Sequence, residues 1–322
     1  MFVSSSPHIK DKSSTTRIML DVIIALIPSL IVSVIRFGLH ALALALVCVG
    51  SAVLSEYIAR KVMKRDNTIG DLSAVVTGLI LSLNLPSTLP LWMGAFGSLV
   101  AIVVIKQFFG GLGQNFVNPA IGARIILMLC FTSAMTAWTK PGFTLWADGV
   151  TSASPLAELS EAANGSAMLD KMPSFLQMLL GDRAGSMGET CALAIIAGGI
   201  YLCVRKVITP VIPLSFIGTV FVCMLVKKFD IQFALYELLS GGLLFGAVFM
   251  ATDYATSPIN TKGKIVFGIG CGLITSAIRL FGSLPEGVSY SIILMNILVP
   301  HIDNLTLTRP FGAVKEAKNG KA

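Results

Sequence analysis

Charge is scarce in this chain. Asp, Glu, Lys and Arg make up only 13% of its 322 residues, where a soluble globular protein carries about a quarter. That scarcity excludes an ordinary water-facing surface. Metal-binding patterns are missing too: the six cysteines (Cys48, Cys130, Cys191, Cys203, Cys223, Cys271) all lie in apolar segments, with no C-x-x-C pair and no zinc or iron–sulfur spacing. They are expected to be small buried hydrophobes. No catalytic triad or P-loop is present. "GGLGQN" is Gly-rich, but it follows an apolar helix rather than a strand, so it is not a dinucleotide fingerprint. The polar start "MFVSSSPHIKDKSSTTR" lacks an apolar core and a small-residue cleavage site, so the first apolar segment is expected to be a retained helix. The net charge of +7 marks no nucleic-acid partner, because the basic residues cluster at the ends of apolar segments.

Apolar length is what the chain has. Hydrophobic residues make up 54%, mean hydropathy is +0.81, and runs of roughly 17–25 apolar residues, enough to cross a bilayer, recur throughout. The pattern predicts an all-α integral membrane protein surrounded by lipid. Ten spans are expected: 18–36, 38–57, 71–85, 90–108, 119–138, 190–206, 210–227, 234–252, 264–281 and 286–302. The third ends at Asn84-Leu85-Pro86 and is short for a full crossing. The organisation expected is an N-terminal segment (1–17), a first membrane repeat (18–138), a polar loop (139–189), a second repeat (190–303) and a tail (304–322).

Loop Lys and Arg place both termini in the cytoplasm and the 139–189 loop outside. Lys10, Lys12 and Arg17, then Arg60 through Arg65, Arg205–Lys206, Lys262–Lys264 and the tail share one side. Lys227 and Lys228 fall on the other. An internal echo supports two repeats. "FGGLGQNFVNPAIGARIIL" (Phe109–Leu127) and "FGSLPEGVSYSIILMNIL" (Phe281–Leu298) each close one span and open the next, about 170 residues apart. Five spans per repeat forces opposite orientations, an inverted repeat with broken helices at its functional sites.

Ionisable residues at bilayer depth are functional candidates. Asp21, Arg36, Glu56, Lys106, Glu237 and Arg279 lie within a turn or two of predicted span ends, where snorkelling to the interface is expected. Arg124 sits one turn into its helix, which leaves pairing, ligand contact and a structural role all open. Two polar clusters fall at predicted helix breaks. Asn115 and Asn118 sit in "GGLGQNFVNPA", with Pro119 suited to a first helical position. Asp253 sits in "MATDYATSP". Irregular backbone with Asn and Asp can hold a polar heterocycle or an ion, and the same residues serve equally as helix caps. The residues alone leave both open. In the long loop, "DGVTSASPLAEL" (Asp148–Leu159) reads on its own as an Asx/ST turn.

Taken in order, "SSPHIKDKSSTTRIMLDVIIALIP", "GGLGQNFVNPA", "DGVTSASPL" and "FMATDYATSP" resemble the RnfD membrane subunits of Rnf complexes, which are similar to the B-type subunit of the sodium-pumping NADH:quinone oxidoreductase. The resemblance spans nearly the whole chain. It implies a prokaryotic plasma-membrane subunit of a machine moving electrons between ferredoxin and NAD, coupled to Na+ or H+ translocation, with partner subunits A, B, C, E and G. Ferredoxin and NAD would bind elsewhere in that complex. It also implies FMN joined through its phosphate to a hydroxyl in a motif of the form Asp-x-x-(Ser/Thr)-Gly-Ala-Thr, installed by a flavin transferase. On this chain Asp148, Thr151 and Ala153 match, and Ser154 takes the flavinylated position. Ser152 replaces the glycine and Ser154 the threonine; a serine hydroxyl still forms the phosphoester, and Thr151 or Ser152 are the neighbouring alternatives. From the sodium-pump cousin the resemblance implies a second, non-covalent flavin (riboflavin or FMN) near Asn115, Asn118 and Asp253. Two competing readings of the same architecture are a stand-alone channel or transporter for a small polar solute and a structural scaffold.

Overall fold

The computed structural model describes residues 14–139, 141–142, 155–156, 159, 174–282 and 286–307. Every element among them is a helix: α1 (Thr15–Phe37), α2 (Leu39–Val62), α3 (Ser73–Leu83), α4 (Leu91–Leu99), α5 (Pro119–Cys130), α6 (Thr132–Met135), α7 (Phe175–Leu180), α8 (Ala192–Val204), α9 (Val211–Lys228), α10 (Ile231–Leu239), α11 (Leu243–Phe245), α12 (Thr261–Phe281) and α13 (Val288–Thr306). Four of them, α1, α2, α9 and α12, are long and apolar enough to cross a membrane. Counting α10 and α11 as one span bent by 65° gives a fifth. Large apolar side chains such as Ile35, Leu46, Leu54, Leu214 and Val222 face outward from α1, α2 and α9, as in a multi-pass protein whose solvent is hydrocarbon.

Local chemistry sets several helix starts. Ser14 Oγ accepts from Arg17 N and opens α1, and Asn118 caps α5 with Pro119 at the first turn, as its sequence suggests. Asp230 Oδ1 accepts from Gln232 N (2.8 Å) and opens α10. Packing follows residue size. Helix α9 lies against α12 because Gly268 and Gly272, one turn apart, face it: a Cβ on Gly272 would sit 2.6 Å from Thr219 Cβ and 3.0 Å from the Phe216 carbonyl. Small residues let helix backbones approach this closely, which is how helices associate where no hydrophobic force separates them from lipid. The largest buried cluster runs through α1, α3, α5, α8, α9 and α11, with Leu26, Leu81, Ile121, Phe216 and Phe245 at its centre.

Two expected spans are broken. The fifth stops at Cys130, where Phe131 leaves helical geometry (φ −130°, ψ 47°) before the short α6. The eighth starts earlier, at Ile231, and bends at Ser240–Gly242. Two further helices change pitch: α4 runs into a π-helical stretch, Val100–Gln107, and α11 into another, Gly246–Met250.

The snorkelling expectation is corrected. Glu56, Lys106, Glu237, Arg279 and Asp21 are all buried. They lie in ion pairs, Lys106–Glu56 (3.0 Å), Arg279–Glu237 (2.9 Å) and Arg205–Asp21 (3.2 Å), because a neighbouring helix offers the opposite charge. Only Arg36 stays half-exposed, near Asp182. The cysteine expectation holds for Cys48, Cys191 and Cys271. Cys203 and Cys223 are half-buried, and Cys130, at the broken end of α5, is exposed.

Candidate functional site

The two π-helical stretches end at the two polar clusters singled out by sequence. After Gln107 the chain turns through Gly110, Gly111 and Gly113, all at positive φ (123°, 104° and 86°), into Asn115 and Asn118. After Met250 it turns through Thr252 and Asp253. A π-helical turn inserts a residue into the helical register, and such turns concentrate at functional sites.

Both clusters open onto one cleft with an enclosed volume of about 90 Å³, or about 800 Å³ when the open space at its mouth is included. Ile18, Met19 and Val22 of α1, Val76 and Ile80 of α3, and Val248 and Phe249 form its apolar walls. Asn115, Asn118, Lys106, Ser73 and Asp253 bring polar atoms to it. A mostly apolar concavity with a few convergent polar groups is the usual form of a small-molecule site.

Most of those polar atoms are already committed. Asn118 Oδ1 accepts from Ala120 N (3.0 Å), and its Nδ2 donates to the Met250 carbonyl (3.2 Å), tying the start of α5 to the end of the second π-helical stretch. Asn296 of α13, its amide oriented to satisfy both atoms, accepts from Asn118 N (3.2 Å) and donates to the Thr256 carbonyl (3.1 Å). Asp253 accepts from Ala255 N (3.4 Å) and Thr256 Oγ1 (3.2 Å). Lys106 Nζ donates to both Glu56 oxygens (3.0 and 3.1 Å) and to Ser73 Oγ (2.6 Å). Asn115 differs: its Oδ1 is buried and has no donor among the described residues. The capping reading therefore fits Asn118, Asp253 instead holds a local turn at Ala255–Thr256, and the ligand reading fits Asn115.

A second polar cluster has Arg124 at its centre. Arg124 pairs with Glu286 and also donates to Asn84 Oδ1 (3.2 Å) and Ser289 Oγ (3.0 Å), so of its three readings pairing is the one observed. Glu189, Arg183 and Gly242 complete this group. Sequence reasoning singled out Arg124 alone, since nothing in linear spacing links residues 124, 189 and 286. Of the remaining sequence candidates, Asp148, Thr151, Ala153 and Ser154 lie outside the described residues, while Pro155, Leu156 and Leu159 just beyond them are buried.

Residues 2–312 match the family described as the NQR2, RnfD, RnfE family. The chain belongs to that family. Among its relatives, the D-type subunit of the Na(+)-translocating ferredoxin:NAD(+) oxidoreductase complex of Acetobacterium woodii is 47% identical, over 99% of this chain and 98% of that one. The D-type subunit of the proton-translocating ferredoxin:NAD(+) oxidoreductase complex of Clostridium ljungdahlii is 42% identical over 96% of each chain. The D-type subunit of the ion-translocating oxidoreductase complex of Stutzerimonas stutzeri is 38% identical, over 94% and 93%. Members of this family therefore serve complexes named for Na+ and others named for H+, and family membership alone leaves the coupling ion open.

Proposed function

We propose that this chain is the RnfD-type membrane subunit of an ion-translocating ferredoxin:NAD+ oxidoreductase, relaying electrons through FMN carried on Ser154 and coupling that transfer to Na+ or H+ movement. Three features support it: the family, the near full-length relatives named as subunits of such complexes, and the match of Asp148, Thr151, Ala153 and Ser154 to the family's flavinylation motif. In this reading α1–α5 and α8–α13, with α10 and α11 counted as one bent span, form two inverted five-span halves, the termini are cytoplasmic and the Ser154 loop lies outside. There a covalent bond keeps a small soluble cofactor from diffusing away. Subunits A, B, C, E and G supply the ferredoxin and NAD sites, and a flavin transferase installs the FMN.

The cleft suits a second, non-covalent flavin. The observation that carries this is Asn115 Oδ1, a buried acceptor without a donor among the described residues, on the wall of a mostly apolar cleft. A flavin bound there would supply one- and two-electron redox chemistry. The chain supplies position. Asn115 offers its free oxygen to a ring N–H, and Asn118, fixed by the α5 cap and the Met250 carbonyl, holds the cleft's shape. Val76, Ile80, Val248 and Phe249 exclude water from a planar ring.

The test is to delete the gene for this chain and complement it. Loss of ferredoxin-dependent NAD+ reduction by membranes, restored by the wild-type chain and accompanied by co-purification of partner subunits, is the expected result. A deletion strain with unchanged activity, or a tagged chain that purifies alone and moves a small polar solute, would favour the channel reading instead.

A further inference from the structure

Charged side chains from five separate segments meet where α10 turns into α11. Arg124 of α5 holds Glu286 Oε2; among the described residues the other oxygen, Oε1, accepts from one peptide N–H, that of Gly242 (3.2 Å). Glu189, between α7 and α8, accepts from Ser186 N (2.9 Å) through Oε1. Among the described residues its Oε2 has no donor, although the residue is only 6% exposed. Both oxygens border one spot. The position a Cβ on Gly242 would take lies 2.7 Å from Glu286 Oε1, 3.3 Å from Glu189 Oε2 and 3.7 Å from Arg124 Nη1.

A buried carboxylate oxygen without a donor is costly, and a second carboxylate beside it raises the cost. Among the described residues the charges around Glu189 at this spot are Arg124, Arg183 and Glu286. Arg183 donates to the Glu189 backbone carbonyl, and its Nη1 is unpartnered. Next out, Arg279 of α12 is held by Glu237 of α10 (2.9 Å). Two guanidiniums already balance two carboxylates, so a cation here answers the donorless Glu189 oxygen rather than any excess of negative charge, and is weakly held.

We infer that Glu189 Oε2 and Glu286 Oε1, facing each other over Gly242, form an exchangeable site for one small monovalent cation, Na+ or H+. Arg124, anchored also by Asn84 and Ser289, is the fixed positive charge that already balances Glu286, which keeps an added cation exchangeable. The site deepens the ion-coupled reading given above by naming residues that take the ion. It links the end of α3 (Asn84), α5, the α10–α11 bend and the start of α13 (Ser289), so occupancy bears on contacts between the two halves of the chain.

The test is carbodiimide labelling of the purified complex, with mass spectrometry of the peptides holding Glu189 and Glu286. Carbodiimides modify protonated buried carboxyls, so the readout needs neither turnover nor flavin and stands even where the electron-relay reading fails. Modification of Glu189 should fall about tenfold per pH unit above the site's own pKa. Protection by NaCl but not by choline chloride at fixed pH would assign the site to Na+, and pH dependence without Na+ protection would assign it to H+. Both outcomes support the site. The absence of modification at either glutamate at any pH, or modification indifferent to both pH and Na+, would overturn it. Gly242→Ala is the second arm. Its backbone (φ −78°, ψ 15°) accepts alanine, and the added methyl occupies the spot itself. In an assembled G242A complex protection by Na+ should be lost and the fall in labelling should move to higher pH, as the methyl displaces the ion and further desolvates both carboxyls; wild-type behaviour in that variant would equally refute the site.

Discussion

Lys106 is a lysine almost wholly removed from solvent, against a glutamate that is fully buried, and the geometry dictates how their variants behave. Lys106 Nζ has three oxygen partners, the two of Glu56 and Ser73 Oγ. Glu56 Oε1 also takes Gln107 Nε2 (2.9 Å) and Thr68 Oγ1 (3.2 Å). Removing one member of a buried pair strands the other charge, at a cost of about 3–5 kcal/mol. Glu56→Gln is expected at the upper end, since the ammonium keeps only neutral oxygens. Lys106→Met is expected at the lower end, because Gln107 and Thr68 still donate to the carboxylate. The double variant Glu56→Gln/Lys106→Met removes both charges and should lie within about 1–2 kcal/mol of wild type, less damaged than either single change. SDS titration in mixed micelles, followed by helical circular dichroism, measures all three. Single losses each below about 1 kcal/mol that simply add, as exposed pairs behave, would refute the buried-pair account and return both residues to the interface.

Further outcomes follow from packing and from the cleft. Asn115→Leu removes the free acceptor, so the complex should lose non-covalent flavin on extraction while any SDS-stable flavin is retained; full non-covalent flavin content in that variant would count against the cleft. Gly272→Leu should cost about 1–3 kcal/mol by forcing α9 from α12, measured by the same SDS titration. Gly218→Ala, on the same α9 but with open space around its Cβ position, should cost nothing.

The long helices were legible because their signal is local: α1, α2, α9 and α12 are continuous apolar runs bounded by polar or glycine residues. The caps were legible for the same reason, Asn118 before Pro119 being a self-contained signature. The break at Phe131 was not, because "LMLCFTSAM" carries neither proline nor glycine and stays apolar through the turn. The bend at α10–α11 had a signal, Ser240-Gly241-Gly242, that the surrounding hydropathy masked. The π-helical stretches left no trace in periodicity. Burial of Glu56, Lys106, Glu237 and Arg279 was misread because a long side chain near a span end looks the same whether it reaches for the interface or for a partner helix. Only tertiary packing tells the two apart. Asn115, Asn118 and Asp253 were picked out as two clusters from residue type, yet their meeting in one cleft depends on Asn118 reaching the Met250 carbonyl, more than a hundred residues along the chain. Asn296, which joins Asn118 to the Asp253 turn, sits in an apolar helix and gave no local signal.

The central claim is a flavin bonded to the Ser154 hydroxyl. In-gel flavin fluorescence after SDS denaturation reads it directly, comparing the wild type with Ser154→Ala, both co-expressed with the flavin transferase. The account predicts a fluorescent wild-type band that is absent in S154A. A band retained in S154A would move the attachment to Thr151 or Ser152. A dark wild-type band, with the transferase active on a control substrate, would contradict the covalent relay and leave the channel reading in its place.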